Sequence, residues 1–195
     1  MNSEFNTKQF YYDAIWYHTK MPDQIVREIE KFVSDFELEP ALVGNQKKST
    51  QDNKIRKNKI SFFPATSWIA SFCYYYIKRA NIENFQYKLF DFYSSDCLQY
   101  TVYQPGEYYN WHVDNVGPED GATRKLSFSL QLSDPSDYDG GELQLLDTFG
   151  NKTYFAPKEK GSIIIFDSRV QHRVKKVKSG LRKSIVGWVM GPKFE

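Results

Sequence analysis

From Phe85 to Met190 the chain alternates between apolar and polar residues with a period of two, which places successive side chains on opposite faces of a strand. The pattern predicts strands over Tyr87–Tyr93, Leu98–Gln104, Lys125–Leu132, Glu142–Leu146, Lys152–Phe155, Ser162–Phe166, His172–Val177 and Lys183–Met190. Turn residues punctuate them at Pro105-Gly106, Gly117-Pro118, Asp139-Gly140-Gly141, Phe149-Gly150-Asn151, Lys160-Gly161 and Ser179-Gly180. Many short strands with such breaks imply a sandwich or barrel, here a jelly roll.

Upstream the period lengthens. A helix begins at Pro22, a residue suited to a first turn, with Asp23 and Glu28 near its positive end and Ile25, Ile29, Phe32 and Val33 as its apolar stripe. A second helix is expected from Trp68 to about Ala80, capped by Thr66 or Ser67, with Trp68, Ile69, Phe72, Cys73, Tyr76 and Ile77 packing inward. Between them, the polar and basic run 44–59 reads as a mobile loop or lid, followed by a short strand at Ile60–Phe63 that Pro64 stops. Residues 1–20 read as an irregular arm ending in a short strand, and His18 there as a packed or surface residue. The expectation is a mainly β chain with N-terminal helices and a double-stranded β-helix (jelly-roll) core. It forms one domain over 1–195, with helical support over about 20–84 and the core over about 85–191.

Composition narrows the function classes. Lys and Arg (26) nearly balance Asp and Glu (24), which argues against nucleic acid and membrane surfaces as partners. Cys73 and Cys97 read as free thiols in a reducing compartment. No apolar run approaches the roughly 20 residues needed to span a bilayer, so a cytoplasmic location is expected.

The chemistry concentrates in Tyr103-Gln-Pro-Gly-Glu-Tyr-Tyr-Asn-Trp-His112-Val-Asp114. A histidine and an aspartate two apart in an extended segment share a face and supply two ligands of a two-histidine, one-carboxylate metal face. Such a face suits non-haem Fe(II) and leaves positions open. His172, one of only three histidines, is the candidate for the missing ligand. Ten residues on, Arg182 in Gly180-Leu-Arg-Lys-Ser184 offers a planar fork for a carboxylate. Strand alternation that turns Arg182 inward also turns in Ser184, Val186 and Trp188, and Arg182 with Ser184 suits a dicarboxylate.

These motifs resemble the prolyl 4-hydroxylase-like 2-oxoglutarate/Fe(II) oxygenases. The segment Leu126-Ser-Phe-Ser-Leu-Gln-Leu-Ser-Asp-Pro-Ser-Asp-Tyr-Asp-Gly-Gly-Glu-Leu143, with His172-Arg-Val and Gly180-Leu-Arg182, is similar to the PKHD-type branch. The resemblance covers about residues 98–190 and implies His112, Asp114 and His172 as iron ligands, with Arg182 on the distal carboxylate of 2-oxoglutarate. It also implies Tyr103 as a cosubstrate-pocket residue, Tyr109 on the substrate side and Trp188 as a pocket aromatic near the metal. Ser127, Ser129 and Gln131 line the same pocket, Gln131 standing where family members often carry a tyrosine.

The implied cofactors are Fe(II), 2-oxoglutarate and dioxygen, with ascorbate as a possible reductant. The implied reaction hydroxylates an unactivated C–H bond without a side-chain general base. A prolyl residue in a peptide or protein is the first substrate reading. Asp114 argues against the halogenating branch, and Trp188, where nucleic-acid demethylases carry a second arginine, argues against that one. A hydroxylase of a free amino acid or other small molecule and a non-catalytic jelly-roll binding module remain as competing classes. A zinc hydrolase would leave Arg182 without a role.

Overall fold

The computed structural model describes residues 16–43, 50–91, 97–115, 121–146 and 152–194. Along the chain these form β1 (Trp16–Lys20), α1 (Asp23–Val33), β2 (Glu39–Pro40), β3 (Arg56–Lys57), β4 (Lys59–Pro64) and α2 (Trp68–Ala80), which runs into a π-helical turn at Asn81–Phe85. There follow β5 (Cys97–Tyr103), β6 (Tyr108–His112), β7 (Ala122–Gln131), β8 (Tyr138–Gly140), β9 (Leu143–Leu146) and β10 (Thr153–Phe155). The chain then completes β11 (Ser162–Asp167), β12 (His172–Val174), β13 (Val177–Gly180) and β14 (Arg182–Pro192).

The strands build a seven-stranded sheet in the order β1-β11-β7-β14-β5-β4-β2 and a five-stranded sheet in the order β10-β9-β12-β6-β3, with β13 and β8 as a separate pair. Among the described residues every strand pairing is antiparallel, with sequence-distant strands as neighbours, and the fold is the jelly roll that the alternation predicts.

The larger sheet carries two kinds of surface. Leu98, Tyr100, Val102, Leu126, Phe128, Leu130, Ile163, Ile165, Ile185 and Val189 pack in one apolar cluster with Val26, Ile29, Ile69, Cys73 and Ile77 of the helices. Each such aliphatic side chain contributes about 1.5–3 kcal/mol by leaving water. Residues of the opposite parity, Gln99, Thr101, Ser127, Ser129, Gln131, Arg182 and Ser184, are polar and equally buried. The inside of a two-sheet sandwich is ordinarily apolar. A polar wall in that position marks a ligand site.

The helices differ from expectation in which side chains they bury. In α1, Val26 is covered and Phe32 stays 39% exposed. Phe32 instead meets Phe36, Phe63 and Trp68 edge-on, at 5.3, 6.1 and 6.0 Å between ring centroids. In α2, Ala70 and Ala80 are buried while Trp68 and Phe72 lie at the rim, because small side chains let the helix approach the sheet closely.

Two strand expectations need correction. Over 87–91 of the predicted strand Tyr87–Tyr93 there is no strand: the Tyr87 N–H donates to the Asn81 side chain at 2.9 Å and the Phe90 N–H to the Met190 carbonyl at 2.8 Å; residues 92 and 93 fall outside the described residues. The predicted strand His172–Val177 is shorter, ending at Val174 as β12, and β13 starts at Val177 and runs through the predicted turn Ser179-Gly180. β8 is a strand that the alternation does not signal, since Gly and Asp at 139–141 read as turn residues, and β6 falls in the segment read as extended around His112.

The predicted loop 44–59 divides. Residues 44–49 lie outside the described residues, whereas Arg56–Lys57 forms β3 against Tyr108 and Tyr109 of β6. Tyr108 Oη donates to Asn53 O at 2.8 Å, Asn110 Nδ2 to Lys54 O at 2.8 Å and Asn110 N to Ile55 O at 2.9 Å. This part of the run is tied to the strand that ends in His112. It is a wall of the barrel.

Candidate metal centre and carboxylate pocket

β6 ends in His112, and β12 begins with His172 directly opposite it in the ladder, so both imidazoles rise on the same side. Their ring centroids are 4.1 Å apart. Asp114 follows in a turn that Ser168 fixes, its carbonyl accepting the Asp114 and Asn115 N–H groups at 2.9 Å each. His112 Nε2 lies 3.7 Å from Asp114 Oδ1 and His172 Nε2 lies 3.4 Å from Asp114 Oδ2. One ligand atom from each of the three residues falls within 4.8 Å of the others.

Both imidazoles are set for metal binding by backbone carbonyls. His112 Nδ1 meets Asn110 O at 2.7 Å and His172 Nδ1 meets Val170 O at 3.0 Å. A carbonyl only accepts, so each Nδ1 carries the proton and each Nε2 presents a lone pair inward. Asp114 Oδ2 accepts from Ser127 Oγ at 2.8 Å, and Ser127 Oγ sits 2.9 Å from Ser168 Oγ. The Trp188 indole also hydrogen-bonds the Asp114 carboxylate.

The electrostatics suit a cation. Burial pushes the Asp114 carboxyl up, but the two imidazoles and the Trp188 and Ser127 hydrogen bonds outweigh it and hold the group below the ordinary carboxylate range. Burial, and then the neighbouring His172, drive His112 well below the usual imidazole range. Two neutral imidazoles and one carboxylate form a mixed nitrogen and oxygen face of the kind that suits Fe(II) and leaves positions for exchangeable ligands.

Deeper in the barrel lies Arg182, 2% exposed and the bulkiest of the fully buried side chains. It pairs in register with Tyr103 of β5, and its guanidinium carbon lies 5.4 Å from the Tyr103 ring centroid. Nη1 donates to Ser184 Oγ at 3.0 Å, while the buried Nε has no hydrogen-bond partner. Among the described residues no carboxylate pairs with this cation. A buried charge without a counter-ion is costly, so the pocket is built for an anion from outside. Its donor set fits the distal carboxylate of 2-oxoglutarate.

The remaining expected residues occupy the same interior. Tyr103 is buried, which raises its phenol pKa, and its ring lies beside the Arg182 guanidinium. Gln131 pairs in register with Ser184 and donates through Nε2 to Ser129 Oγ at 3.0 Å. Tyr109 stacks on His112 at 3.5 Å between centroids, and the Arg56 guanidinium lies 4.7 Å from the centroid of the same ring. Trp188 turns its indole N–H to Asp114 and carries the Arg124 guanidinium 4.0 Å over its ring.

Arg56, Arg124 and Ser168 were not singled out from the sequence. Arg56 sits in a basic run that reads as solvent-facing, and Arg124 and Ser168 reach the site only through a strand register that local pattern does not disclose. His18, read as packed, is buried with Nε2 3.4 Å from Ser162 Oγ. Cys73 is a buried free thiol, pushed up to about 12 by burial.

Comparison with known proteins agrees with this geometry. Residues 98–190 match the family model of the 2OG-Fe(II) oxygenase superfamily. A PKHD-type hydroxylase of Crocosphaera subtropica is 38% identical over 94 residues, covering 47% of this chain and 41% of that protein. The chain thus spans less than half the length of that relative. Among solved structures, a prolyl-4-hydroxylase of Pseudomonas putida superposes with a TM-score of 0.67 at 22% identity, covering 92% of this chain and 93% of that one. The carbocyclase SnoK of nogalamycin biosynthesis, described as non-haem and alpha-ketoglutarate-dependent, gives a TM-score of 0.67 at 13% identity, covering 93% and 81%. These likenesses show a shared fold. The half that carries His112, Asp114, His172 and Arg182 is thus the part of the chain that is similar to the 2OG-Fe(II) oxygenase superfamily.

Proposed function

We propose that this protein is a 2-oxoglutarate- and Fe(II)-dependent hydroxylase acting on an unactivated C–H bond, with a prolyl residue of a peptide or protein as its substrate. The observation that carries the reading is the pairing of a converged His112, Asp114 and His172 with a buried cation, Arg182, that lacks a carboxylate partner. When bound, the ferrous ion and 2-oxoglutarate supply the activation of dioxygen, one oxygen atom entering the substrate and the other entering succinate as carbon dioxide leaves.

The chain's own residues bind and orient. His112 and His172 offer Nε2 because Asn110 and Val170 hold the protons on Nδ1. Asp114 stays ionised, with Ser127 and Trp188 holding its orientation. Arg182 holds the distal carboxylate, with the Tyr103 ring beside its guanidinium. Tyr109 and Trp188 flank the open side, where a substrate C–H bond must approach. No side chain is assigned as a general base.

The prolyl reading is supported by the PKHD-type relative and by the overall likeness to a prolyl-4-hydroxylase. The same fold in SnoK keeps a small-molecule substrate as the second reading. Incubation with Fe(II), 2-oxoglutarate, ascorbate and proline-rich peptides separates them. Succinate release with a peptide that gains one oxygen atom supports the first, and turnover confined to free amino acids or other small molecules contradicts it. Metal and 2-oxoglutarate binding without succinate release under any substrate would indicate a binding module.

A further inference from the structure

We propose that Arg56 binds a carboxylate of the substrate, in a cavity between β3 and the paired β2 and β4. This rests on the oxygenase reading above and names a group that its substrate carries. β3 pairs with β6 so that Arg56 stands opposite Tyr109, and residues opposite each other in a ladder share a face. The Tyr109 ring stacks on His112 at 3.5 Å between centroids, and the Arg56 guanidinium carbon lies 4.7 Å from the centroid of that ring. A single aromatic side chain therefore links this cation to a metal ligand.

Arg56 is 8% exposed, and among the described residues no carboxylate pairs with it. Among those residues its side chain makes one hydrogen bond, from Nε to Asn58 Oδ1 at 2.7 Å. Asn58 is itself fixed, its Nδ2 donating to Lys59 O at 3.3 Å and its carbonyl accepting from Ala41 N–H at 2.9 Å. The Nη1 and Nη2 donors have no acceptor in the described part of the protein. The tyrosine face offsets part of the cost of burying the charge, but it does not take up those donors. A planar fork with free N–H groups is the donor half of a carboxylate site.

Arg56 lines a cavity of about 140 Å³ together with Asn53, Lys57, Asn58, Lys59 and Glu107. Whole small-molecule ligands occupy about 300–1,000 Å³, so this space suits one polar substituent rather than an entire substrate. Three cations against one acid favour an anion. The acid, Glu107, does not pair with Arg56, and its Oε2 accepts from the Gln104 N–H at 2.8 Å. Lys57 is exposed at the rim, where it steers an anion inward, and Arg56 is placed to grip it. The site stands ready before a substrate arrives, because Tyr108 Oη donates to Asn53 O and Asn110 N to Ile55 O, tying this segment to β6.

The test uses the blocked peptides acetyl-Ala-Glu-Pro-Ala-amide and acetyl-Ala-Pro-Glu-Ala-amide, each with a twin in which Gln replaces Glu, and free proline against prolinamide. Binding to the protein loaded with Mn(II) and 2-oxoglutarate is measured by calorimetry for wild type and Arg56→Gln. At least one acidic probe is expected to bind the wild type about 10-fold or more tighter than its neutral twin, the range for a hydrogen bond to a charged group. Arg56→Gln is expected to remove that preference. A preference within a peptide pair identifies an acidic side chain as the source, and one for proline over prolinamide identifies a free carboxylate. Equal binding within every pair, or a preference that survives in Arg56→Gln, overturns the proposal.

A second measurement needs neither a proline probe nor a variant. In the unaltered protein loaded with diamagnetic Zn(II) and 2-oxoglutarate, the 15N resonance of Arg56 Nε should shift on adding acetate and stay in place with acetamide or with chloride at equal ionic strength. Failure to shift with acetate overturns the proposal, whether or not Arg56→Gln folds. An Arg56 resonance that responds to acetate in a wild type that binds no proline probe instead contradicts the prolyl reading and leaves the carboxylate site standing.

Discussion

His172 and His112 are direct cross-strand partners, the first residue of β12 facing the last residue of β6, although 60 positions separate them in sequence. The ladder sets their separation before any metal arrives, and the Nδ1–carbonyl bonds set their rotation. Replacing either histidine with alanine is expected to lower Fe(II) or Mn(II) affinity by more than about 100-fold, beyond the effect of losing a supporting hydrogen bond. Calorimetry on the folded variants checks this, and retained affinity in either would contradict the ligand assignment.

Ser127→Ala removes the hydroxyl that donates to Asp114 Oδ2 at 2.8 Å and leaves the backbone ladder of β7 intact. Metal affinity is expected to fall about 10- to 100-fold, with near-wild-type thermal stability. An unchanged affinity would mean that Trp188 alone orients the carboxylate.

Arg182→Met exchanges a buried cation that has no carboxylate partner for an apolar chain of similar length. The ligand-free variant is expected to be more stable than wild type by about 1–3 kcal/mol, because an uncompensated buried charge is removed. At the same time 2-oxoglutarate should no longer raise the melting temperature of the metal-loaded protein. Denaturant unfolding with and without 2-oxoglutarate measures both effects. Stability gained in the free protein and lost as ligand response identifies Arg182 as a residue kept for binding.

The metal-free protein should weaken in mild acid. His112 is held below its unfolded imidazole value, near 6.5, by burial and by His172. The unfolded chain therefore takes up this proton first. Stability is full above about pH 6.5 and declines as pH falls from there toward the lowered folded value. Asp114, also lowered, adds loss in the same direction below the ordinary carboxylate range. Urea midpoints across this range test the sign, and His112→Gln should flatten the upper part of the curve.

The jelly roll was legible because alternation and turn residues are local, and His112, Asp114, His172 and Arg182 were legible because their spacing carries a recognisable chemistry. What escaped depends on register. Arg56 reads as solvent-facing in a basic run, yet it is buried, 4.7 Å over Tyr109, because β3 pairs with β6. Tyr87–Tyr93 misled in the other direction. There the Tyr87 ring packs against Phe85 and Phe194, and residues 87–91 pair with no strand.

The central claim is that one ferrous ion and one 2-oxo acid share this barrel, held by His112, Asp114, His172 and Arg182. An anaerobic titration with Fe(II) and then 2-oxoglutarate, followed by visible absorption, tests it most directly. A ferrous ion acquires a new visible band when a 2-oxo acid binds to it. One Fe(II) per chain is expected, with the band saturating at one 2-oxoglutarate, lost in Asp114→Ala and shifted to much higher 2-oxoglutarate concentration in Arg182→Met. Tight 2-oxoglutarate binding without Fe(II), or a band that survives Asp114→Ala unchanged, would contradict it.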